Sequence, residues 1–187
     1  MISGFGTTAI AANAVANTVA MIAVLPGMAV GYGIVSVISQ CVGSGDYEQV
    51  RYYGRKLIKW GYLLMGIVDI LIILLIPVII DLYGLSEATG DLAGKIILFH
   101  NICAIVIWPI SFSLPNVLRA ASDVMYTMII GVGSMWVFRI LSGYLLGSVL
   151  GMGVFGVWVA MIIDWVVRSV CFLIRYHGGK WKHPAVR

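Results

Sequence analysis

Hydrophobic residues run almost unbroken through five stretches of the chain, at residues 8–40, 57–80, 96–118, 125–146 and 154–174. Polar residues gather in the short gaps between them: VGSGDYEQ (42–49), DLYGLSEATGD (81–91), RAASD (119–123) and GSVLGMG (147–153). A basic tail, RYHGGKWKHPAVR (175–187), closes the chain. The stretches hold 21 to 33 residues and do not alternate. A helix span needs roughly 20 residues, whereas a transmembrane strand is about half that length and alternates. Backbone in hydrocarbon must satisfy its hydrogen bonds within its own segment, so the pattern predicts five transmembrane helices. The first is overlong, reaching about 50 Å at 1.5 Å per residue. Pro26-Gly27 near its middle predicts a bend.

Composition supports this class. Hydrophobic residues make up 61% and charged residues 11% of the 187, with a mean hydropathy of +1.01; soluble domains carry about 45–50% and about 25%. A globule of this size cannot hide so much apolar surface, and disorder requires the opposite balance. Little chain is left for a soluble enzymatic domain. Net charge is +4, but the basic residues flank apolar runs instead of forming a nucleic-acid patch. Placing the N-terminus outside puts nine basic residues on the inner side: Arg51, Arg55, Lys56, Lys59, Arg119, Arg175, Lys180, Lys182 and Arg187. Only Lys95 is then outside, while Arg139 and Arg168 fall within spans. That bias predicts a multi-pass plasma (inner) membrane protein with a cytoplasmic C-terminus. The N-terminal MISGFGTTAIAANAVANTVA has no basic region typical of a secretory signal. An outside N-terminus with neither signal nor preceding span predicts further chain upstream.

The candidate chemistry lies in the few polar residues inside the spans. Cys41, Cys103 and Cys171 are scattered and odd in number, so they form no disulfide framework. Cys171, His177 and His183 match no zinc spacing, and no metal site is expected. GMGVFG (151–156) lacks the preceding strand and following acid of a dinucleotide loop and reads as a tight turn. Asp69 lies near the middle of the second segment, where a charge costs at least about 2.5–3.5 kcal/mol. It is a candidate for coupling-ion or substrate contact, or alternatively a neutral or structural Asp. Asp164 and Arg168, four apart in the fifth segment, share a helix face. If the fourth and fifth helices are antiparallel neighbours, Arg139 joins them. The cluster is then either an ion pair that locks two helices or part of a transport path.

The third segment is the least regular, with His100, Asn101, Trp108-Pro109, Ser111, Ser113 and Pro115-Asn116. Two prolines remove donors and free carbonyls a turn earlier. Broken helices of this kind build midplane sites in transporters, which makes Asn101, Trp108 and Asn116 candidates for substrate or ion contact. Small-residue packing explains the same features equally well. Asn13 and Asn17 sit one turn apart on an Ala-rich helix. Packing is the simpler reading there, and Asn17 is retained as a site candidate.

The ordered set of stretches AIAANAVANTVAMIAVLPGMAVGYGIVSVISQCVGSGDYEQVR, LPNVLRAASD, WVFRI and GVFGVWVAMIIDWVVRSVCFLIRYHGGKWK resembles the C-terminal half of a MATE-type multidrug and toxin extrusion transporter. Gln40, Gly43, Gly45 and Asp46 resemble that family's inner loop after the second helix of a lobe. Leu118, Arg119 and Asp123 resemble its Leu-Arg-x-x-x-Asp loop. Trp158, Asp164, Arg168, Lys180 and Trp181 resemble its closing helix and tail. The resemblance implies Na⁺- or H⁺-coupled antiport exporting drugs or organic cations, from a protein of two six-helix lobes. The chain departs in carrying five spans, most of one lobe. The acid that some branches place within the third-segment helix is also missing, since Asp91 and Asp123 only flank it.

The expectation is therefore an all-α integral membrane domain over 1–187, part of a cation-coupled exporter. It needs no cofactor beyond the coupling ion, and its partners are the lipid bilayer, small-molecule substrates and a missing N-terminal lobe or second chain. It has no nucleic-acid partner. A related lipid-linked oligosaccharide flippase and a non-transporting fragment or assembly partner are the alternatives. No nucleophile–base pair supports an enzyme, and no catalytic residue is assigned.

Overall fold

The computed structural model describes residues 2–182; His183 and Arg187 of the tail lie outside them. Five helices are long and apolar enough to cross a membrane: α1 (Thr7–Gly43), α2 (Tyr47–Leu82), α3 (Glu87–Ala120), α4 (Val124–Val149) and α5 (Gly153–His177). The described residues contain no strand. Short 3₁₀ turns precede α1 and follow α5, at Ile2–Phe5 and Lys180–Lys182.

The helices outrun their apolar stretches, and at α2 a capping side chain, not hydrophobicity, sets the start. α2 begins ten residues before its apolar stretch, inside the acidic gap. There Asp46 Oδ1 accepts the backbone N–H groups of Glu48 (3.1 Å) and Gln49 (3.0 Å), and the Gln49 side chain donates back to Asp46 Oδ2 (2.9 Å). These bonds satisfy donors that a helix start leaves open. At 37 residues, α1 is about 55 Å long, and it runs unbroken through Pro26.

α1, α2 and α3 pack against one another, and α5 joins α3 to α4. The inward stripe of α1 is made of small residues, Ala9, Ala12, Ala16, Ala23, Gly27 and Gly31, which lets neighbouring backbones approach closely. At Gly27 a Cβ would collide with Trp108 and Met65. At the α4–α5 crossing, a Cβ on Gly156 would sit 2.8 Å from the Leu146 carbonyl carbon. The GMGVFG run is a turn followed by this close crossing, with Gly151 and Gly153 at φ +69° and +60°.

The third segment departs from the expected broken helix. α3 is continuous and absorbs Pro109 and Pro115 through a π-helical stretch, Pro109–Ser113, in which the Leu114 amide reaches back to the Pro109 carbonyl. Pro109 has no N–H for the Ile105 carbonyl. The next two carbonyls take side-chain donors from neighbouring helices: the Tyr62 hydroxyl donates to Val106 (3.0 Å) and the Ser169 hydroxyl to Ile107 (3.4 Å). The helix widens instead of breaking, and α2 and α5 supply partners for two of the carbonyls before the π stretch. α4 contains two further π stretches, Met135–Leu141 and Leu145–Val149.

Three apolar clusters stack along the bundle. One, around Ile34, Ile58, Leu118, Phe172 and Trp181, lies at the end carrying the α1–α2 and α3–α4 connections. Another, around Ala16, Ile72, Ile97 and Trp158, lies towards the opposite end. Met65, Ala104, Trp108, Ile162 and Trp165 fill the middle. Trp181 is fully buried, stacks on Tyr176 with ring centroids 5.5 Å apart, and donates its indole N–H to the Tyr176 carbonyl (2.8 Å). Asp123 receives two hydrogen bonds from Arg175 (2.7 and 3.0 Å), which ties the α3–α4 turn to the end of α5.

Candidate functional site

The structure divides the candidates of the sequence reading among three places. The first is a polar layer between the middle cluster and the Ile72–Trp158 cluster. Asp69 lies there on α2, between Met65 and Ile72, with 0% exposure. His100 and Asn101 lie on α3, between Ile97 and Ala104, also buried. Both Asp69 oxygens, His100 Nδ1 and Asn101 Oδ1 have no hydrogen-bond partner. The Asn101 amide instead donates to the Ile97 carbonyl of its own helix (2.7 Å). His100 is held edge-on between Trp158 (5.3 Å) and Trp165 (5.5 Å). An unpaired carboxylate at this depth is costly. A proton or a small monovalent cation would relieve that cost, and the Asn101 oxygen offers a second acceptor in the same layer.

The second place is the α4–α5 interface. Asp164 is fully buried, and the Arg168 Nε–H is shared between Asp164 Oδ1 (2.9 Å) and Ser134 Oγ (2.8 Å). Arg139 sits half-buried in a π stretch of α4, the helix that packs against α5. It makes no ion pair within 4.0 Å among the described residues. The structure thus joins Asp164 to Arg168 directly and leaves Arg139 as an unneutralised neighbour.

The third place is a groove of about 780 Å³ between α1 and the π-widened part of α3. Trp108, Phe112, Asn116 and Arg119 form one wall, and Gly27, Met28 and Tyr32 belong to the other. Trp108 stacks on Phe112 (4.9 Å), and a Cβ on Gly31 would meet the Asn116 amide nitrogen at 2.6 Å. Trp108 and Asn116 therefore share one surface, which suits an organic molecule with an aromatic or cationic part.

Asn17 belongs to none of these. It is exposed and donates to the Asn13 carbonyl one turn back (2.9 Å). Asn13 is the inward asparagine, accepting the Trp158 indole N–H (3.0 Å). Helical spacing put both on one face, but an almost uniformly apolar helix carries no signal for which of the two turns inward. Three side chains were missed as site components: His100, Ser134 and Arg119. His100 was legible in part, because Trp158 and Trp165 are seven apart on α5 and so share a face. The role of Ser134 depends on the α4–α5 register, which no spacing within one helix reports.

Comparison with known proteins agrees with this architecture. The MatE family model matches residues 1–145. The chain is 26% identical over 178 residues to the uncharacterized transporter YisQ of Bacillus subtilis, covering 94% of this chain and 38% of that protein. It is 21% identical to the probable multidrug resistance protein YoeA of the same organism, covering 99% and 40%. Against the probable multidrug resistance protein NorM of Thermotoga maritima it is 25% identical, covering 97% and 39%. The chain spans about two-fifths of the length of these relatives. With five membrane-competent helices and a family match over most of its length, the chain belongs to the MatE family.

Proposed function

We propose that this chain is a transporting lobe of a multidrug exporter, in which Asp69 exchanges the coupling cation, Na⁺ or H⁺, against substrate. One observation carries the reading: a carboxylate with no exposed surface and no hydrogen-bond partner for either oxygen, midway along a transmembrane helix. Such a group holds its charge only when something neutralises it, and an exchangeable cation does so reversibly. Two of the relatives above carry the name probable multidrug resistance protein, which supports amphipathic drugs or organic cations as cargo. The groove lined by Trp108, Phe112 and Asn116 is the proposed substrate wall.

In this reading the N-terminus faces outward, the α1–α2 and α3–α4 connections face the cytoplasm, and the protein lies in the plasma membrane. A second lobe or chain supplies the opposite wall of the groove. Polar Asn116 on that open wall favours a protein or aqueous neighbour over lipid. Alternating access needs two bodies moving around one site, so this chain alone does not pump.

The test is gradient-driven dye efflux from vesicles holding the complete transporter. Asp69→Asn should abolish the dependence of efflux on the Na⁺ or H⁺ gradient while leaving expression intact. Trp108→Ala and Asn116→Ala should change the concentration of dye needed for half-maximal efflux and leave the gradient dependence in place. Undiminished gradient-driven efflux in Asp69→Asn would sink the assignment.

A further inference from the structure

We propose that the notch between α3, α4 and α5 is a binding site for the anionic headgroup of an inner-leaflet phospholipid, with Arg119 and Arg168 as its phosphate ligands. The notch holds about 340 Å³ and is separate from the polar layer around Asp69. Ser111, Phe112, Arg119, Thr127, Arg168 and Phe172 line it. Two guanidinium groups and two hydroxyls face an otherwise apolar wall, and no carboxylate lines it. That combination matches an anionic head on an acyl chain.

Three observations favour an anion there. Arg119, Arg139 and Arg168 lie on these three helices against one buried carboxylate, Asp164, which Arg168 already engages. Asp123 is fully taken by Arg175. Within these three spans one positive charge is therefore left over, and Arg119 adds another at the exposed inner-side end of α3; charges at this depth are held in membranes by pairing. Arg119 has no acidic partner within 4.0 Å among the described residues and makes only a long 3.4 Å bond to the Pro115 carbonyl. The Ser111 hydroxyl, 1% exposed, lines the notch and has no hydrogen-bond partner.

Depth fits a headgroup. Of the α4 residues in the wall, Val124 opens the helix and Gly131 lies two turns in, so the notch reaches roughly 10 Å from the α3–α4 connection. Exposed Met128 and Val124 at its mouth give an acyl chain an apolar exit. Arg168 is also fixed over the Phe112 ring (5.7 Å), which holds its guanidinium in place before any ligand arrives.

The test is native mass spectrometry of the purified full chain in detergent with added phosphatidylglycerol, phosphatidylcholine or inorganic phosphate. Phosphatidylglycerol should be retained over phosphatidylcholine by roughly fivefold or more. Arg119→Gln should remove that preference and Arg119→Lys should keep part of it. Gly131→Leu is the second variant, because a Cβ there meets nothing within 4 Å. It should block retention by filling the notch without touching a charge. Lys56→Gln with Lys59→Gln, on the basic stripe of α2, should leave retention unchanged. Displacement of the lipid by inorganic phosphate would support the phosphate-ligand assignment, and its absence would make the acyl chain part of the recognised ligand. Equal retention of the two lipids, or unchanged preference in both Arg119→Gln and Gly131→Leu, would overturn the proposal.

Discussion

Two buried carboxylates sit in this bundle under opposite conditions. Asp164 has Arg168 one turn away, and Ser134 steadies the same guanidinium from α4. Asp69 has neither a cation nor a donor, although both residues are fully buried. Asp164 is thus locked into the α4–α5 interface by its partner. Under the proposed function, Asp69 is the acid left open to the coupling cation. Burial alone does not separate a structural acid from a functional one; the partner does.

The largest predicted effect breaks the paired side. Asp164→Asn keeps an acceptor but removes the charge that neutralises the largely buried Arg168, and should cost about 3–5 kcal/mol of stability, read as a lower denaturation midpoint of the purified chain. Replacing both residues, Asp164→Asn with Arg168→Gln, should recover part of that loss. Asp69→Asn, by contrast, should leave the midpoint unchanged or raise it, since it removes an uncompensated buried charge. Gly27→Leu is the next test, because it drives a side chain into Trp108 and Met65 beside the layer that holds Asp69. Overpacking of this kind costs about 1–3 kcal/mol, measured by the same unfolding assay. Ser134→Ala removes one neutral acceptor from Arg168 and should cost about 1 kcal/mol. The exposed Asp91–Lys95 pair (2.7 Å) is the reference for an ion pair in water. Lys95→Ala should shift the midpoint by no more than about 0.5 kcal/mol.

The helical class and the number of spans were legible because hydrocarbon imposes them on any sequence that crosses it. The pairing of Asp164 with Arg168 was legible from their spacing of four. Other features were hidden for identifiable reasons. α2 starts at Tyr47 because Asp46 and Gln49 cap it, a local signal outweighed by the polarity of the surrounding gap. α3 stays whole through two prolines by widening into a π stretch, beside which Tyr62 and Ser169 bond the Val106 and Ile107 carbonyls, and both donors come from other helices. Asn13 rather than Asn17 faces Trp158 because of helix rotation, and a helix that is apolar on every side does not encode its rotation in its pattern. The isolation of Asp69 likewise depends on what α1 and α3 bring against it.

The contrast between the two acids is tested most directly by the infrared carboxyl difference spectrum of the purified chain, recorded between acidic and neutral buffer and again on adding sodium. Exposed acids such as Glu48, Asp81, Glu87 and Asp91 give a proton-responsive signal common to every variant. The account predicts, beyond that signal, a carboxyl band that also responds to sodium at constant pH, disappears in Asp69→Asn and persists in the double variant Asp164→Asn with Arg168→Gln. A sodium-responsive band that survives Asp69→Asn, or that vanishes with Asp164 instead, would contradict it.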